Sequence, residues 1–203
     1  MNTVSDKQSQ TPAPGQLYVI SAPSGGGKTS LTRALIERLA AKGRTARFSV
    51  SYTTRDPREG ERDGVDYHFV SVDGFKQMIA EAAFLEHARV FDRYYGTSKA
   101  ETERWLAAGQ DVILDIDWQG AEQVRARAPD AITIFISPPS REELERRLRS
   151  RASDDETAII KRLAEADDEM ARAGDYDHQI VNDEFERALS ELQAIFEGTA
   201  RSA

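Results

Sequence analysis

The stretch LYVISAPSGGGKTSL, residues 17–31, decides the fold of this chain. Its first part, 17–21, is a short apolar run, which is typical of a buried parallel strand. A glycine-rich segment at 22–30 follows, and residues 28–42 then place leucines at helical spacing before Gly43, a plausible helix stop. A strand, a glycine-rich loop and a helix in this order predict the start of an α/β domain.

The glycine-rich segment has the pattern of a loop that holds phosphates. It matches glycine, four residues, glycine, lysine and threonine, except that Ala22 replaces the first glycine. Glycines let backbone N–H groups turn toward a phosphate, and the helix N-terminus adds positive potential. Lys28 would supply charge at the transferable phosphate and Thr29 a hydroxyl for Mg²⁺. Ala22 should be tolerated if its φ is negative. The predicted ATP-binding residues are Ala22, Pro23, Ser24, Gly25, Gly26, Gly27, Lys28, Thr29 and Ser30.

The bulk composition excludes several classes of protein. The chain has 203 residues, 39% of them hydrophobic and 31% charged, which is typical of a globular domain. A net charge of −8 argues against a general nucleic-acid binder. There are no cysteines and no apolar stretch long enough to span a membrane, and the N-terminus lacks a signal-peptide layout. A cytoplasmic protein without nucleic-acid or membrane partners is expected, with homo-oligomerisation left open.

Strands and helices alternate along the rest of the chain. This order predicts an α/β fold with a parallel β-sheet core flanked by helices. Residues 1–15 are polar and aperiodic and are expected to be a disordered extension. The predicted core comprises 16–50, 98–139 and 166–203, and two excursions interrupt it. These are a mixed α/β insertion at 51–97 and a charged helical segment at 140–165.

Two pairs of charged residues are candidates for phosphate and metal chemistry. Asp115 and Asp117 end an apolar strand, and the carboxyl ends of parallel strands face the ligand in such sheets, so either acid could help to hold Mg²⁺. An ordinary solvated strand end is the alternative. Arg55 and Arg58 lie in an irregular loop, and arginine forks suit a terminal phosphate. Taken alone, that loop would be interpreted as solvated.

The segment at 141–151 contains five arginines and three glutamates in a helical pattern. Arg147 and Arg151 lie four apart and therefore on one helical face. A solvated helix with internal ion pairs is the plain interpretation. Because the segment follows a strand and two prolines, it could also be a hinged lid.

Several motifs together resemble the guanylate kinase family. They are SAPSGGGKTSL (21–31), SVSYTTRDPREGERDGVDYHFV (49–70), FLEHARVFDRYYGTSK (84–99), VILDIDWQGA (112–121), PPSREELERRLRSRASDDETAIIKRL (138–163) and HQIVND (178–183). The resemblance covers nearly all of residues 16–200. It implies transfer of the ATP γ-phosphate to GMP with Mg²⁺, and it makes the insertion at 51–97 a GMP-binding subdomain and 140–165 a lid. It also implies dGMP as an acceptor, since no residue is assigned to the 2′-hydroxyl.

The resemblance also implies roles for single residues. Four would hold the acceptor phosphate: Arg55, Arg58, Tyr67 and Tyr95. Ser51, Glu86 and Thr97 would read the guanine, with Asp115 near its exocyclic amine or the metal. The implied catalytic residues are Lys28, Arg55, Arg147, Arg151 and Arg162, and the implied metal ligands are Thr29, Asp115 and Asp117. Asn182 matches a position near the adenine.

The chemistry of Glu86 agrees with this assignment. A carboxylate only accepts hydrogen bonds, which fits the N1–H and N2–H₂ donors on one edge of guanine. Two alternatives remain. Guanylate-kinase-like domains also serve as non-catalytic interaction scaffolds, but these typically lose the loop lysine or the acceptor arginines. A kinase for another monophosphate is the other alternative, and Glu86 argues against it.

Overall fold

The chain folds into two β-sheets surrounded by helices in a computed structural model that describes residues 13–90, 92–150 and 156–198. The strands in these ranges are, in chain order, β1 (Leu17–Ser21), β2 (Ala46–Phe48), β3 (Tyr52–Thr53), β4 (His68–Phe69), β5 (Phe84–Val90), β6 (Arg93–Ser98), β7 (Asp111–Asp115), β8 (Ile132–Ser137) and β9 (His178–Val181). The helices are α1 (Lys28–Ala41), α2 (Val72–Ala80), α3 (Lys99–Ala107), α4 (Trp118–Arg127), α5 (Arg141–Ser150), α6 (Glu156–Ala171) and α7 (Phe185–Gly198). No helix in the described ranges is both long and apolar enough to cross a membrane.

The larger sheet is the core that the sequence predicts. Its five strands are ordered β2-β7-β1-β8-β9 and every pairing is parallel. All residues of β1 are buried because helices cover both faces of the sheet. The predicted α/β class with a parallel core is therefore confirmed. Strand β2 is short and ends at Phe48, after which the chain leaves for the second sheet.

Two apolar layers hold this core together. On one face, α1 and α7 pack on β1 through buried leucines and through the stacked rings of Tyr18 and Phe196, whose centroids lie 3.7 Å apart. On the other face, α3 and α4 cover the sheet with residues such as Leu106 and Val124. The glycine predicted to stop α1, Gly43, has a φ of +75° and so makes the left-handed turn that ends the helix.

The insertion forms its own four-stranded sheet, ordered β4-β3-β6-β5, with α2 packed against it. The ring of Phe75 from α2 stacks on Phe84 at 4.5 Å and on Tyr94 at 5.4 Å between centroids. These stacked rings form the apolar core of an insertion that otherwise contains a long charged loop. The long irregular stretch at 52–66 contains only the two residues of β3 as strand.

Helices α5 and α6 form the predicted lid segment and share a small core of five buried residues: Leu144, Leu148, Ile159, Leu163 and Ala166. Helix α6 continues to Ala171, so the proposed boundary at 165 falls inside it. At the other end, most of the predicted extension lies outside the described residues. Gly15 is held to the core, because its N–H donates to the carbonyl of Leu106 at 2.7 Å.

Candidate functional site

The loop between β1 and α1 has the backbone that a phosphate cradle requires. Gly25 and Gly27 have φ values of +95° and +92°, a region that side-chain-bearing residues avoid. The N–H of Gly26 donates to the carbonyl of Pro23 at 2.8 Å and closes the turn. In the described ranges, Ala82 and Asp92 are the non-glycine residues with positive φ. Ala22 is not among them, so the backbone condition on which the tolerance of alanine there depends is met.

Asn182, at the end of β9, supports the loop from below. Its buried amide Nδ2 donates to the carbonyl of Gly26 at 2.8 Å, and a Cβ on Gly27 would collide with the same amide. The carbonyl of Asn182 in turn accepts from Nη2 of Arg147 at 2.9 Å. The contacts of this side chain are thus with the phosphate loop itself. Its predicted place near the adenine remains a prediction.

Lys28, in the first turn of α1, lies over the carboxyl ends of the central strands. Its Nζ forms an ion pair with Asp115 and lies 3.4 Å from the carbonyl of Ile116. Burial disfavours the charged ammonium, but the Asp115 carboxylate, with Glu169 and Asp117 as smaller contributors, outweighs burial and raises the pKa of Lys28. The ammonium of Lys28 is therefore charged and is held by Asp115 next to the phosphate loop.

The three predicted metal ligands are not equivalent. Thr29 and Asp115 line the same cavity beside the loop, and each has an oxygen of the kind Mg²⁺ prefers. Asp117 instead caps α4: Oδ1 accepts from the N–H of Gly120 at 3.0 Å and Oδ2 from Nε2 of Gln119 at 3.2 Å. The donor set at Thr29 and Asp115 therefore fits a magnesium ion bound mainly by phosphates, whereas the Asp117 carboxylate is already engaged.

Glu169, near the end of α6, is a site residue that the sequence reasoning missed. Burial raises its pKa to about 7, partly offset by Lys28 and reinforced by Asp117 and Glu165. Glu169 lines a cavity of about 550 Å³ together with Asp117. It lies among other charged residues of this helix, so its pattern in the sequence does not separate it from solvated neighbours.

The acceptor side faces the loop across a cavity of about 650 Å³ that Thr29, Ser51, Tyr67 and Asp115 line together. The guanidinium of Arg55 lies 5.3 Å from the centre of the Tyr67 ring, and Tyr67 lies edge-on to Tyr95 at 6.0 Å. The structure thus brings together three of the four residues predicted to hold the acceptor phosphate.

Glu61 organises these arginines and was also missed from sequence. It accepts from Nη2 of Arg55 at 2.8 Å and from the backbone N–H of Arg58 at 2.7 Å. The hydrogen bond from Arg55 is the main reason why the pKa of Glu61 is lowered. The side chain of Arg58 is exposed at the edge of the same loop.

Glu86 is the most buried acid of the insertion, with 3% of its surface exposed. Its Oε1 accepts from the hydroxyl of Thr97, its cross-strand partner, at 2.6 Å. Glu86 lines a cavity of about 160 Å³ together with Ser51 and Tyr95. Burial raises the pKa of Glu86 to about 7 despite the hydrogen bond from Thr97. The pairing of β5 with β6 shifts register between Phe84 and Glu86, next to this carboxyl.

The lid segment contacts the loop directly. A Cβ on Gly25 would lie 3.0 Å from Leu144 and 3.2 Å from Leu148, the buried leucines of α5. Arg147 is held by Glu143, with Nε donating to Oε1 at 2.8 Å, and Nη1 of Arg162 lies 3.4 Å from the hydroxyl of Ser24. Arg147 and Arg162 are therefore beside the loop. Arg151, the third predicted lid arginine, lies outside the described residues.

A parallel sheet carrying a phosphate loop, with an inserted sheet facing it and a helical lid above it, defines the class of P-loop nucleotide kinases. Comparison with known proteins gives the family. The guanylate kinase family model matches residues 14–199. The chain is 55% identical to guanylate kinase of Alkalilimnicola ehrlichii over 90% of this chain and 88% of the relative, and 54% identical to that of Escherichia coli over 90% and 87%. The crystal structure of guanylate kinase from Anaplasma phagocytophilum superposes with a TM-score of 0.76 at 31% identity, covering 95% of this chain and 90% of that one. The chain belongs to the guanylate kinase family.

Proposed function

We propose that the chain transfers the γ-phosphate of ATP to GMP, giving ADP and GDP, with the site residues in the roles described below. One observation carries this assignment. The buried acid Glu86, which accepts a hydrogen bond from Thr97, lines a small cavity together with Ser51. Ser51 also lines the larger cavity that Thr29 of the donor side borders. The donor side and a base-reading acid therefore border two cavities that share Ser51.

The donor half uses the phosphate loop and Lys28. The inward-turning backbone of 22–30 binds the phosphates of ATP, and the ammonium of Lys28 leaves Asp115 for the γ-phosphate, where negative charge moves during transfer. Magnesium would neutralise charge on the phosphates, as kinases of this class generally use ATP with Mg²⁺. Thr29 and Asp115 are the residues placed to hold it, and Asp117 acts through its cap on α4 or through water.

The acceptor half holds GMP by both ends. Arg55, Arg58, Tyr67 and Tyr95 bind its phosphate, with Glu61 keeping the guanidinium of Arg55 in place. Glu86, Thr97 and Ser51 read the guanine edge, since an acceptor-only carboxylate matches two neighbouring donors. The GMP phosphate is already an anionic nucleophile, so positioning rather than a general base is what the site supplies. Nothing in the site is assigned to the 2′-hydroxyl, and dGMP is therefore proposed as a second acceptor.

The lid completes the site from above. Arg147 and Arg162 lie next to the loop at Asn182 and Ser24, from where they reach the ATP phosphates. Arg151 is assigned to the same task by the family resemblance. Positive charge at a phosphoryl-transfer transition state is worth ~10³–10⁵ in rate, and a closed lid also excludes water.

A coupled ADP-release assay with five acceptors tests the proposal. We expect turnover with GMP, slower turnover with dGMP, and kcat/KM for AMP, UMP and CMP lower by ~10⁴ or more, because a buried acid without matching donors opposes binding. A scaffold without catalysis would release no ADP with any acceptor. Preference for AMP would instead show that the base contacts are misassigned.

A further inference from the structure

Gly120, in the first turn of α4, is a glycine that its own backbone does not require. Its φ is not positive, so no left-handed turn explains it. Glycine inside a helix is unfavourable relative to alanine because it loses more conformational freedom on folding. The residue is buried, and its N–H donates to the cap residue Asp117 at 3.0 Å. The reason for glycine here must therefore be its surroundings.

Those surroundings are the carboxyl group of Glu86. A Cβ on Gly120 would lie 2.6 Å from Oε2 of Glu86, closer than such atoms pack, and 3.1 Å from its Cδ, with Cδ1 of Ile116 next at 3.2 Å. The other oxygen, Oε1, is held by the hydroxyl of Thr97 at 2.6 Å. The carboxylate is thus fitted between Thr97 of the insertion and the backbone of a core helix, with no room for a methyl group.

We propose that Gly120 is a positioning residue for guanine specificity, because it lets the Glu86 carboxylate lie flat against the first turn of α4. This inference rests on the proposed role of Glu86 as the guanine-reading acid. A methyl group at position 120 pushes Oε2 away and tilts the plane of the carboxylate. The two donors on the guanine edge need both carboxylate oxygens of Glu86 in one fixed orientation. Tilting the carboxylate should therefore weaken binding of GMP and leave binding of ATP unchanged.

The location of Gly120 adds a second effect. The first turn of a helix carries positive potential, and a carboxylate close to it is stabilised. Because glycine has no side chain, Glu86 approaches this turn directly across the boundary between the insertion and the core. Burial and the Asp117 carboxylate at the same turn oppose this effect and together raise the pKa of Glu86 to about 7, so Gly120 acts on the acid mainly by shape.

The test is Gly120→Ala, measured by steady-state kinetics. We expect KM for GMP to rise roughly 10- to 100-fold, since a displacement of less than 1 Å at a binding group has effects of this size. KM for ATP should stay within about twofold. The preference for GMP over IMP, which lacks the exocyclic amine, should fall as well. A general loss of structure would instead impair the KM for GMP and the KM for ATP together.

Gly74→Ala is the matched control. Gly74 occupies the same helical position in α2 as Gly120 does in α4, three residues after a cap whose side chain accepts from its N–H at 3.0 Å. A Cβ there would meet the flexible hydroxyl of Ser71 at 3.2 Å and no acid. We expect all kinetic constants of this variant to remain within about twofold of wild type.

A double-mutant cycle isolates the contact. In a Glu86→Ala background, Gly120→Ala should not change KM for GMP further, because the group it displaces has gone. A further rise of tenfold or more in that background would mean that position 120 acts through α4 itself, and the inference would be wrong. If Gly120→Ala fails to fold, Gly120→Ala with Glu86→Asp decides, since the shorter acid leaves room for the methyl group. Recovery of a cooperative melt supports the inference, and its absence contradicts it.

Failure of this inference can be told apart from failure of the proposed function. No turnover of GMP by the wild-type chain refutes both. Normal wild-type turnover with an unchanged GMP KM in Gly120→Ala refutes the role of Gly120 alone.

Discussion

The phosphate loop and the acceptor cavity face each other, yet they are built on different principles. The loop is one continuous segment, 22–30, and its binding groups are backbone N–H groups shaped by Gly25 and Gly27. The acceptor cavity collects side chains from distant parts of the chain, from Ser51 to Asp115, on separate strands and loops.

This difference explains what each half can recognise. A backbone cradle reads phosphate groups, which all nucleoside triphosphates share. In the proposed function, Glu86 would read the guanine edge and Arg55 would bind the acceptor phosphate, each held by a neighbouring side chain. Generality therefore lies in the contiguous half of the site, and specificity lies in the dispersed half.

The largest expected effect is on the donor half. Lys28→Ala should lower kcat by ~10³ or more, because charge at the transferred phosphate is the main contribution of the protein to phosphoryl transfer. Asp115 loses its partner, but it is partly exposed to water, so Tm should move by only a few degrees. A coupled ADP-release assay measures kcat, and a thermal melt measures Tm.

Lys42→Ala is the control for this substitution. Lys42 is exposed and pairs with Glu197 at 2.5 Å, far from the loop. Its kcat should equal that of wild type. Near-normal turnover in Lys28→Ala would show that the donor half does not depend on this charge.

A smaller and more selective effect is expected on the acceptor half. Glu86→Gln keeps the shape of the side chain but places an amide donor opposite the guanine donors. We expect kcat/KM for GMP to fall roughly 100-fold, with KM for ATP unchanged, because a mismatched buried polar group costs about 1–3 kcal/mol. Glu81→Gln, on an exposed position of the same insertion, should have no effect. If Glu86→Gln weakened the use of GMP and of ATP equally, the separation of the site into a donor half and an acceptor half would be wrong.

The smallest effect is a pH dependence confined to the acceptor half. The pKa of Glu86 is raised to about 7, so the carboxylate that accepts from guanine is present above this pH and is lost as the pH falls through it. We expect kcat/KM for GMP to drop about tenfold between pH 8 and pH 6. A profile that stays flat over this range would contradict the assignment.

Two other groups titrate nearby and need controls. The phosphate of GMP has its second pKa near about 6, so Glu86→Gln should retain only that weaker dependence. The pKa of Glu169 is also raised to about 7. Glu169→Gln should therefore keep the pH profile of GMP if Glu86 is its source.

The phosphate loop could be predicted from the sequence better than the acceptor cavity could. The loop, the parallel core and the alternation of strands and helices depend on local patterns, so they were predicted, including tolerance of Ala22. The links that organise the acceptor side have no such pattern. Glu86 gains its hydrogen-bond partner Thr97 from a neighbouring strand. Glu61 is one of several acids in a charged loop, so its spacing does not mark it as the partner of Arg55.

Gly120 and Asn182 illustrate a third case, in which the residue type is visible but its role is not. A glycine after a helix cap looks like a weak helix former until the acid beside it is seen. Asn182 matches the family pattern, and only the structure places its amide on the carbonyl of Gly26. The end of the lid segment was also hard to predict, because α6 continues past residue 165 to Ala171 with no change in the type of residues along it.

The stacked rings of Tyr18 and Phe196 have a consequence for the order in which the protein becomes functional during synthesis. Strand β1, which leads into the phosphate loop, is made before the helix that covers its face, α7, which follows all the other described strands and helices. Until α7 leaves the ribosome, one apolar face of the central sheet stays open to water and to other chains. Nascent chains that pause before residue 185 should therefore need chaperone protection, although their ATP-binding motif has long been translated.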